Sequence, residues 1–309
     1  MNETRIEQQL KDNKNTNWNS FWSVLGFELR RNFTSRGFII FIGVYLFMGL
    51  FMALIIGASF DVLIKEFGEV DLPDQYNFFA DIEINSKTWA NLFSVNMSVS
   101  IFIGQMGIVA GCFYGAKMIS QDLSSGGMAL VSSTQVKREV NIIARYISAC
   151  IIVFVLLIVS TFFSIFCMDV VAVILAKNVE FGETLGYSIV YFLRALLPIF
   201  LFTIAVTSIG VLVGVFIRNP TLAIVGSIIA LVFYDSIFSS IQIFVPPEWN
   251  LEYLSFSANL ANIGFWTYGT VSGPEVVFDS VPWVSLVIFI TLPILSMLFS
   301  ILRFRKMDI

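Results

Sequence analysis

Six apolar stretches of the sequence are each long enough to cross the hydrocarbon core of a bilayer. An α-helix rises about 1.5 Å per residue, so crossing about 30 Å takes roughly 20 apolar residues. The 309-residue chain is 57% hydrophobic and only 13% charged, which is more apolar surface than one soluble core buries. We therefore expect an all-α polytopic membrane protein with six transmembrane helices. The predicted spans cover residues 37–60, 90–116, 147–168, 187–217, 221–245 and 280–302.

The positive charges lie predominantly on one side of these spans. Fourteen Lys and Arg residues fall on the side that includes both chain ends, and three, Lys65, Lys87 and Lys177, fall on the other. Lys and Arg concentrate in cytoplasmic loops, so we expect both termini and the loop 117–146 to be cytoplasmic. Loops 61–89 and 246–279 are then on the outer side.

The segment before the first span divides into two parts. Residues 1–16 are polar, mixed in charge and without an apolar period, which predicts disorder. Residues 17–36 are predicted to form an amphipathic elbow helix along the inner membrane surface. Its apolar face contains Trp18, Phe21, Trp22, Leu25 and Leu29.

A second short apolar segment lies in the outer loop before the sixth span. The sequence LSFSANLANIGFW, residues 254–266, is apolar but too short to cross a bilayer. It predicts a re-entrant or interfacial segment.

The sequence offers little catalytic chemistry. It contains no histidine, which removes the commonest general base and metal ligand. Its three cysteines, Cys112, Cys150 and Cys167, are widely spaced inside apolar runs, so neither a metal site nor a disulfide framework is expected. The string LSSGG, residues 123–127, is similar to the signature of ATP-binding-cassette ATPases, but no phosphate-binding GxxxxGK[ST] loop is present. We expect no catalytic residues and no cofactor in this chain.

The order of these features resembles the permease subunit of type-2 ATP-binding-cassette transporters. That family has an elbow helix, six spans, a coupling helix between the second and third spans and a re-entrant segment before the sixth. The inner loop looks like the family pattern at Asp122, Gly126 or Gly127, the stretch 132–138 and Arg145, with Gln135 where the family usually has proline. The closing FRKMDI, residues 304–309, resembles the family's basic tail.

The resemblance implies that residues 119–131 form a helix that docks on a separate ATPase. Asp122 and the basic residues Lys137, Arg138 and Arg145 would supply polar contacts, although Lys137 and Arg138 equally satisfy the positive-inside bias. Val131 would join the apolar residues that fill the ATPase groove. The candidate coupling residues are Ser120, Gln121, Asp122, Gly126, Gly127, Met128, Leu130, Lys137 and Arg138.

The same resemblance implies partners and a location. Two cytoplasmic ATPase subunits would bind ATP and magnesium, and a second permease copy or a paralogue would complete the membrane part. The complex would export a substrate across a prokaryotic-type cell membrane, with no role for nucleic acid. Two alternatives stay open: mechanical transmission to an extracytoplasmic partner through the acidic outer loop, or an ion-coupled carrier that uses Asp235.

Two positions in the spans are further candidates. Asp235 lies about 21 Å from the inner end of the fifth span, where a carboxylate costs about 2.5–3.5 kcal/mol. It is predicted either to line a translocation path or to cap the outer segment. Arg194 is predicted at the outer surface, where it extends to the interface or forms an ion pair with Asp169.

Small residues recur at helical spacing on two spans. Gly107, Gly111 and Gly115 repeat every four residues on the second span, and Gly210 and Gly214 do so on the fourth. Such spacing allows helices to approach closely. Packing within the subunit is favoured over a dimer interface.

Overall fold

The computed structural model describes residues 3–67, 86–125, 137–175, 180–241, 251–272 and 275–306. Almost all of these residues are helical. The α-helices are α1 (Glu3–Phe33), α2 (Arg36–Phe67), α3 (Ser86–Trp89), α4 (Gly107–Ser124), α5 (Arg138–Leu175), α6 (Phe181–Phe216), α7 (Pro220–Ile241), α8 (Phe256–Thr267) and α9 (Trp283–Arg305). A short antiparallel hairpin, β1 (Thr270–Ser272) and β2 (Glu275–Val277), pairs Val271 with Val276.

Six helical stretches within the described residues are long and apolar enough to cross a membrane. The chain is therefore an α-helical multi-pass membrane protein, as the six apolar runs predict. The stretches are Arg36–Ile56, Phe102–Ser124, Arg138–Ile174, Phe181–Phe216, Pro220–Phe238 and Trp283–Arg305.

Several helices are longer than the apolar runs that predict them. Helix α5 has 38 residues, or about 57 Å at 1.5 Å per residue, and so exceeds the hydrocarbon thickness. It begins at Arg138, nine residues before the predicted start of the third span at 147. Helix α4 likewise continues to Ser124, so both helices extend into the predicted inner loop.

The first helix differs most from the sequence prediction. Helix α1 begins at Glu3, whereas the sequence predicts disorder over residues 1–16. Residues 3–16 are rich in Glu, Gln and Lys, which have high helix propensity and extend a helix already formed downstream. Around the predicted apolar face, Trp18 and Trp22 are exposed and Leu25 is buried against the bundle. The predicted position of this helix at the membrane surface stays a prediction.

The break between the fourth and fifth spans follows from the sequence RNP, residues 218–220. Helix α6 ends at Phe216, and α7 begins at Pro220, whose missing N–H and fixed φ suit the first helical position. The Asn219 side chain accepts a hydrogen bond from the Leu222 N–H at 3.2 Å and so caps α7.

The second span changes its helical geometry toward the predicted outer side. Between α3 and α4, the segments Ala90–Asn96 and Val99–Met106 are π-helical. This wider winding, with hydrogen bonds from residue i to i+5, is rare in proteins. The hydroxyl of Tyr45 on α2 donates a hydrogen bond to the Met106 carbonyl oxygen, where the π-helical winding ends.

The predicted glycine contacts join the second and fourth spans within one chain. A Cβ atom placed on Gly115 would lie 2.5 Å from the main-chain oxygen of Thr207, and one on Gly214 would lie 2.7 Å from that of Ala116. Likewise, a Cβ atom on Gly210 would meet the Gly111 carbonyl oxygen at 2.9 Å. The two backbones touch where side chains are absent, and the prediction of packing within the subunit is confirmed.

We expect Gly115→Ala to destabilise the protein by about 1–3 kcal/mol, because the added methyl group collides with backbone that cannot move aside. Gly43→Ala is the matched control, since no described atom beyond its own helical turn lies within 4 Å of the position that its Cβ would occupy. Thermal unfolding of both variants in the same detergent measures the difference. Equal unfolding temperatures would show that the glycine contact is not tight.

Candidate coupling site at the inner loop

The structure describes both ends of the predicted coupling segment. Ser120, Gln121 and Asp122 lie in the last turns of α4, and Lys137 precedes Arg138, the first residue of α5. Four candidate residues lie outside the described part of the chain: Gly126, Gly127, Met128 and Leu130.

The described candidates divide into surface and interior positions. Gln121 and Lys137 are exposed, and Arg138 is half-buried. Ser120 is completely buried, and its hydroxyl donates to the Ala116 carbonyl oxygen at 2.7 Å. The Asp122 side chain is only 13% exposed. Of the polar candidates, Gln121 and Lys137 are therefore best placed to contact a partner.

Arg145 is the centre of a buried charge network at the end of the bundle where α4 and α5 meet the predicted coupling loop. Its Nη1 donates to the Asp122 carboxylate and, at 2.6 Å, to the Met118 carbonyl oxygen. Its Nε donates to Asn141 Oδ1 at 3.0 Å, and its Nη2 lies 3.3 Å from Glu28 Oε1. The side chain is 4% exposed, so these contacts replace its hydration.

A second guanidinium completes the network from the side of α1. Arg31 Nη2 lies 2.8 Å from Glu28 Oε2, and Arg31 Nη1 lies 3.4 Å from Asp122 Oδ1. Asn32 Nδ2 donates to the Glu28 main-chain oxygen at 2.9 Å. Two carboxylates and two guanidinium groups alternate, and they join α1, α4 and α5.

Glu28 is the most deeply buried acid of this network. Burial raises the pKa of its carboxyl group above the usual value, because the charged form loses hydration, while Arg145 and Arg31 oppose this shift. The ionised state of Glu28 thus depends on the two guanidinium groups.

The network corrects part of the sequence interpretation. Arg145 was expected to contribute to the surface that contacts an ATPase, but its guanidinium faces the interior because two buried carboxylates require a cation there. Asp122 has the same internal partners. The role of Glu28 was missed, and the available signal was the spacing of Glu28, Arg31 and Asn32 on one face of α1.

Asp235 caps the short outer helix α8. Its Oδ1 accepts hydrogen bonds from the Ser255 hydroxyl at 2.9 Å and the Ser257 N–H at 3.0 Å, and its Oδ2 accepts one from the Ser257 hydroxyl. Ser255 in turn accepts a hydrogen bond from the Ala258 N–H at 3.1 Å. Asp235 is 1% exposed. Of the two predicted roles, this geometry favours capping.

The predicted ion pair between Asp169 and Arg194 is wrong. Asp169 is completely buried and accepts hydrogen bonds from the hydroxyls of Ser94 and Ser188. The Arg194 guanidinium is exposed and lies 5.2 Å from the centroid of the Phe278 ring. Asp169 is buried where the second, third and fourth spans meet, whereas Arg194 lies on the exposed face of α6 and contacts Phe278, so the two charges have different neighbours.

The fold and the site define a six-span helical membrane protein with a charge network where α4 and α5 lead into the loop between the second and third spans. No protein-family model matches this chain, and no curated protein matches its sequence.

We expect Arg145→Gln to cost about 3–5 kcal/mol of stability, because the fully buried Glu28 and the largely buried Asp122 then retain, among the described residues, only the partly exposed Arg31 as a cation. Arg305→Gln is the matched control. Arg305 pairs with Glu139 at 2.7 Å but is 58% exposed, so its loss should cost about 0–1 kcal/mol. Chemical unfolding of the two variants in detergent measures the difference, and similar losses would contradict the internal role of Arg145.

Asp235→Ala is expected to loosen α8 by about 0.5–2 kcal/mol, the usual effect of losing a helix cap. Amide hydrogen exchange should then speed up across the first turn of α8 and little elsewhere. Asp279→Ala, at an exposed aspartate outside that cap, should leave this exchange unchanged. Unchanged exchange in Asp235→Ala would exclude the capping role.

Proposed function

We propose that this chain is the membrane subunit of an ATP-binding-cassette transporter, and that it exports a substrate by using ATP hydrolysis on a separate subunit. The observation that carries this proposal is the buried network of Glu28, Arg31, Asp122 and Arg145. It lies at the base of the one inner loop whose sequence resembles a coupling segment. Fold and loop together thus support a coupling function.

The network holds the two ends of the inner loop rigidly to each other and to α1. Asp122 ends the second span and Arg145 lies near the start of the third, so their contact fixes the two ends of the loop to each other. Glu28 and Arg31 add α1 to the same unit. A push on the loop would then displace three helices together instead of bending the loop.

In this proposal an ATPase subunit contacts the exposed face of the loop. Gln121 and Lys137 are the described side chains best placed for that contact. Closure of two ATPase subunits around ATP and magnesium would tilt the second and third spans, and two permease copies would enclose the substrate path. The chain itself performs no bond-breaking chemistry.

The two alternatives differ in their support. Mechanical transmission to an extracytoplasmic partner would use the same network. This alternative depends on the acidic outer loop, which lies largely outside the described residues. A carrier that uses Asp235 has less support, because the donors of Ser255 and Ser257 already occupy both carboxylate oxygens. ATP-dependent substrate movement in liposomes distinguishes an exporter from a transmitter.

Co-purification tests the docking interface. The chain is co-expressed with the ATPase that a neighbouring reading frame encodes. We expect Gln121→Arg combined with Lys137→Glu to lower the recovered ATPase by about tenfold or more, which corresponds to about 1.4 kcal/mol of binding. Lys306→Glu is the control, because Lys306 is an exposed cation beyond the end of α9 and outside the loop.

Two results would count against the proposal. The first is the absence of a stably bound ATPase with the unaltered chain, which would remove the transporter class itself. The second is equal ATPase recovery with the loop variant and the control, which would leave the class but move the docking surface elsewhere.

A further inference from the structure

Asp169 is an unusual buried acid near the end of the third span that lies away from the coupling loop. It lies in the third span and is completely shielded from solvent. Its Oδ1 accepts hydrogen bonds from the hydroxyl of Ser94 on the second span and, at 3.0 Å, from that of Ser188 on the fourth. Its Oδ2 is buried and has no hydrogen-bond partner among the residues that the structure describes. Three spans thus converge on a carboxyl group that is only half satisfied.

No described cation balances a charge on Asp169. The described charged side chains at the outer ends of the second and fourth spans are Lys87 before the second span, Glu180 directly before α6, and Glu183 and Arg194 on α6. None of these four forms an ion pair or hydrogen bond with Asp169, and Arg194 lies over Phe278 instead. An ionised carboxylate is strongly disfavoured in such a position, because neither water nor a cation compensates it.

A metal ion fits this site poorly. Hard cations take about six to eight oxygen ligands, whereas the side chains that meet here are one carboxyl group and two hydroxyls. Both hydroxyls are already hydrogen-bonded to Oδ1, which leaves no space between them and the carboxylate for a metal ion. A proton needs only one oxygen atom, and Oδ2 is available.

We propose that Asp169, together with Ser94 and Ser188, forms a proton-binding site in the interior of the bundle. The proton resides on Oδ2, and the two serine hydroxyls donate to the carbonyl oxygen Oδ1 of the neutral carboxyl group. This site is separate from the charge network at the inner loop and does not depend on the binding of an ATPase.

The hydroxyl groups below Asp169 give the proton further polar neighbours. Ser98 and Ser164 lie about one helical turn closer to the inner side, and their hydroxyls are 3.0 Å apart. Thr161 also lies on α5, with a buried hydroxyl for which the described residues show no hydrogen-bond partner. Among the intramembrane acids that the structure describes, Asp169 has a carboxylate oxygen without a donor, whereas both oxygens of Asp235 accept hydrogen bonds. Asp169 is therefore better suited than Asp235 to hold a proton.

Infrared spectroscopy of the isolated full-length chain tests the proposal. The protein is prepared in lipid nanodiscs with carbon-13 in the aspartate carboxyl groups, so that aspartate bands are identified by their isotope shift. At neutral pH we expect the carbonyl stretching band of a protonated aspartic acid. This band should be lost in Asp169→Asn and retained in Asp279→Asn, which alters an exposed aspartate.

A second variant assigns the infrared band to Asp169 while keeping its carboxyl group. Ser188→Ala removes one hydroxyl that donates to Oδ1, so the carbonyl band should shift to higher frequency while Asp169 stays in place. The absence of a protonated aspartate band in the unaltered protein overturns the proposal. A band that neither Asp169→Asn nor Ser188→Ala changes also overturns it. Both infrared results are independent of whether an ATPase co-purifies with the chain.

Discussion

Close contact between the backbones of the second and fourth spans is the interaction on which the rest of this bundle depends. Gly111 and Gly115 on one helix face Gly210 and Gly214 on the other. Main-chain atoms fill the spaces left by the missing Cβ atoms of Gly115, Gly210 and Gly214, and the Val206 side chain fills the space at Gly111. In a bilayer, lipid tails are as apolar as leucine, so helices associate mainly through such close packing. These two helices form the centre, and the helices around them expose apolar faces.

The helices around the second and fourth spans expose large apolar side chains. On α2 and α9, large aliphatic and aromatic residues such as Phe47 and Ile294 are more than half exposed. Such residues suit contact with lipid or with a second copy of the chain, and they account for the apolar runs in the sequence. The second span, by contrast, has its apolar residues inside. Its lower share of apolar residues reflects contact with other helices instead of lipid.

Sequence reasoning located the spans well and the polar contacts less well. Apolar runs reveal where a helix crosses the membrane, but α4 and α5 continue past these runs through polar residues with good helix propensity. The pairing of Asp169 with Arg194 failed because it requires knowing how α5 and α6 are rotated about their axes. A lone sequence does not contain that rotation, whereas the glycine spacing shows directly which helix faces can touch.

The coupling residues also show that sequence patterns locate a segment better than they identify its side-chain contacts. The resemblance of the loop sequence to a coupling segment singles out Asp122 and Arg145 as residues that contact an ATPase. In the structure these two residues form an ion pair with each other instead. Glu28 was not anticipated, because it lies nearly a hundred residues earlier in a helix predicted to lie on the membrane surface. The long-range contact between α1 and the loop ends arises from tertiary packing, which no local pattern encodes.

Three deeply buried acids show how this bundle handles negative charge at different depths. Glu28 lies at the end of the bundle next to the coupling loop, where the buried Arg145 and the partly exposed Arg31 both reach it. Asp235 receives a backbone N–H and two hydroxyls from the start of α8, so a helix terminus supplies the positive field. Within the described part of the chain, Asp169 meets neither a cation nor a helix terminus, only two hydroxyls on one oxygen. Because the first two sites satisfy a charge and the third does not, Glu28 and Asp235 serve the architecture, and Asp169 is the acid free to exchange a proton.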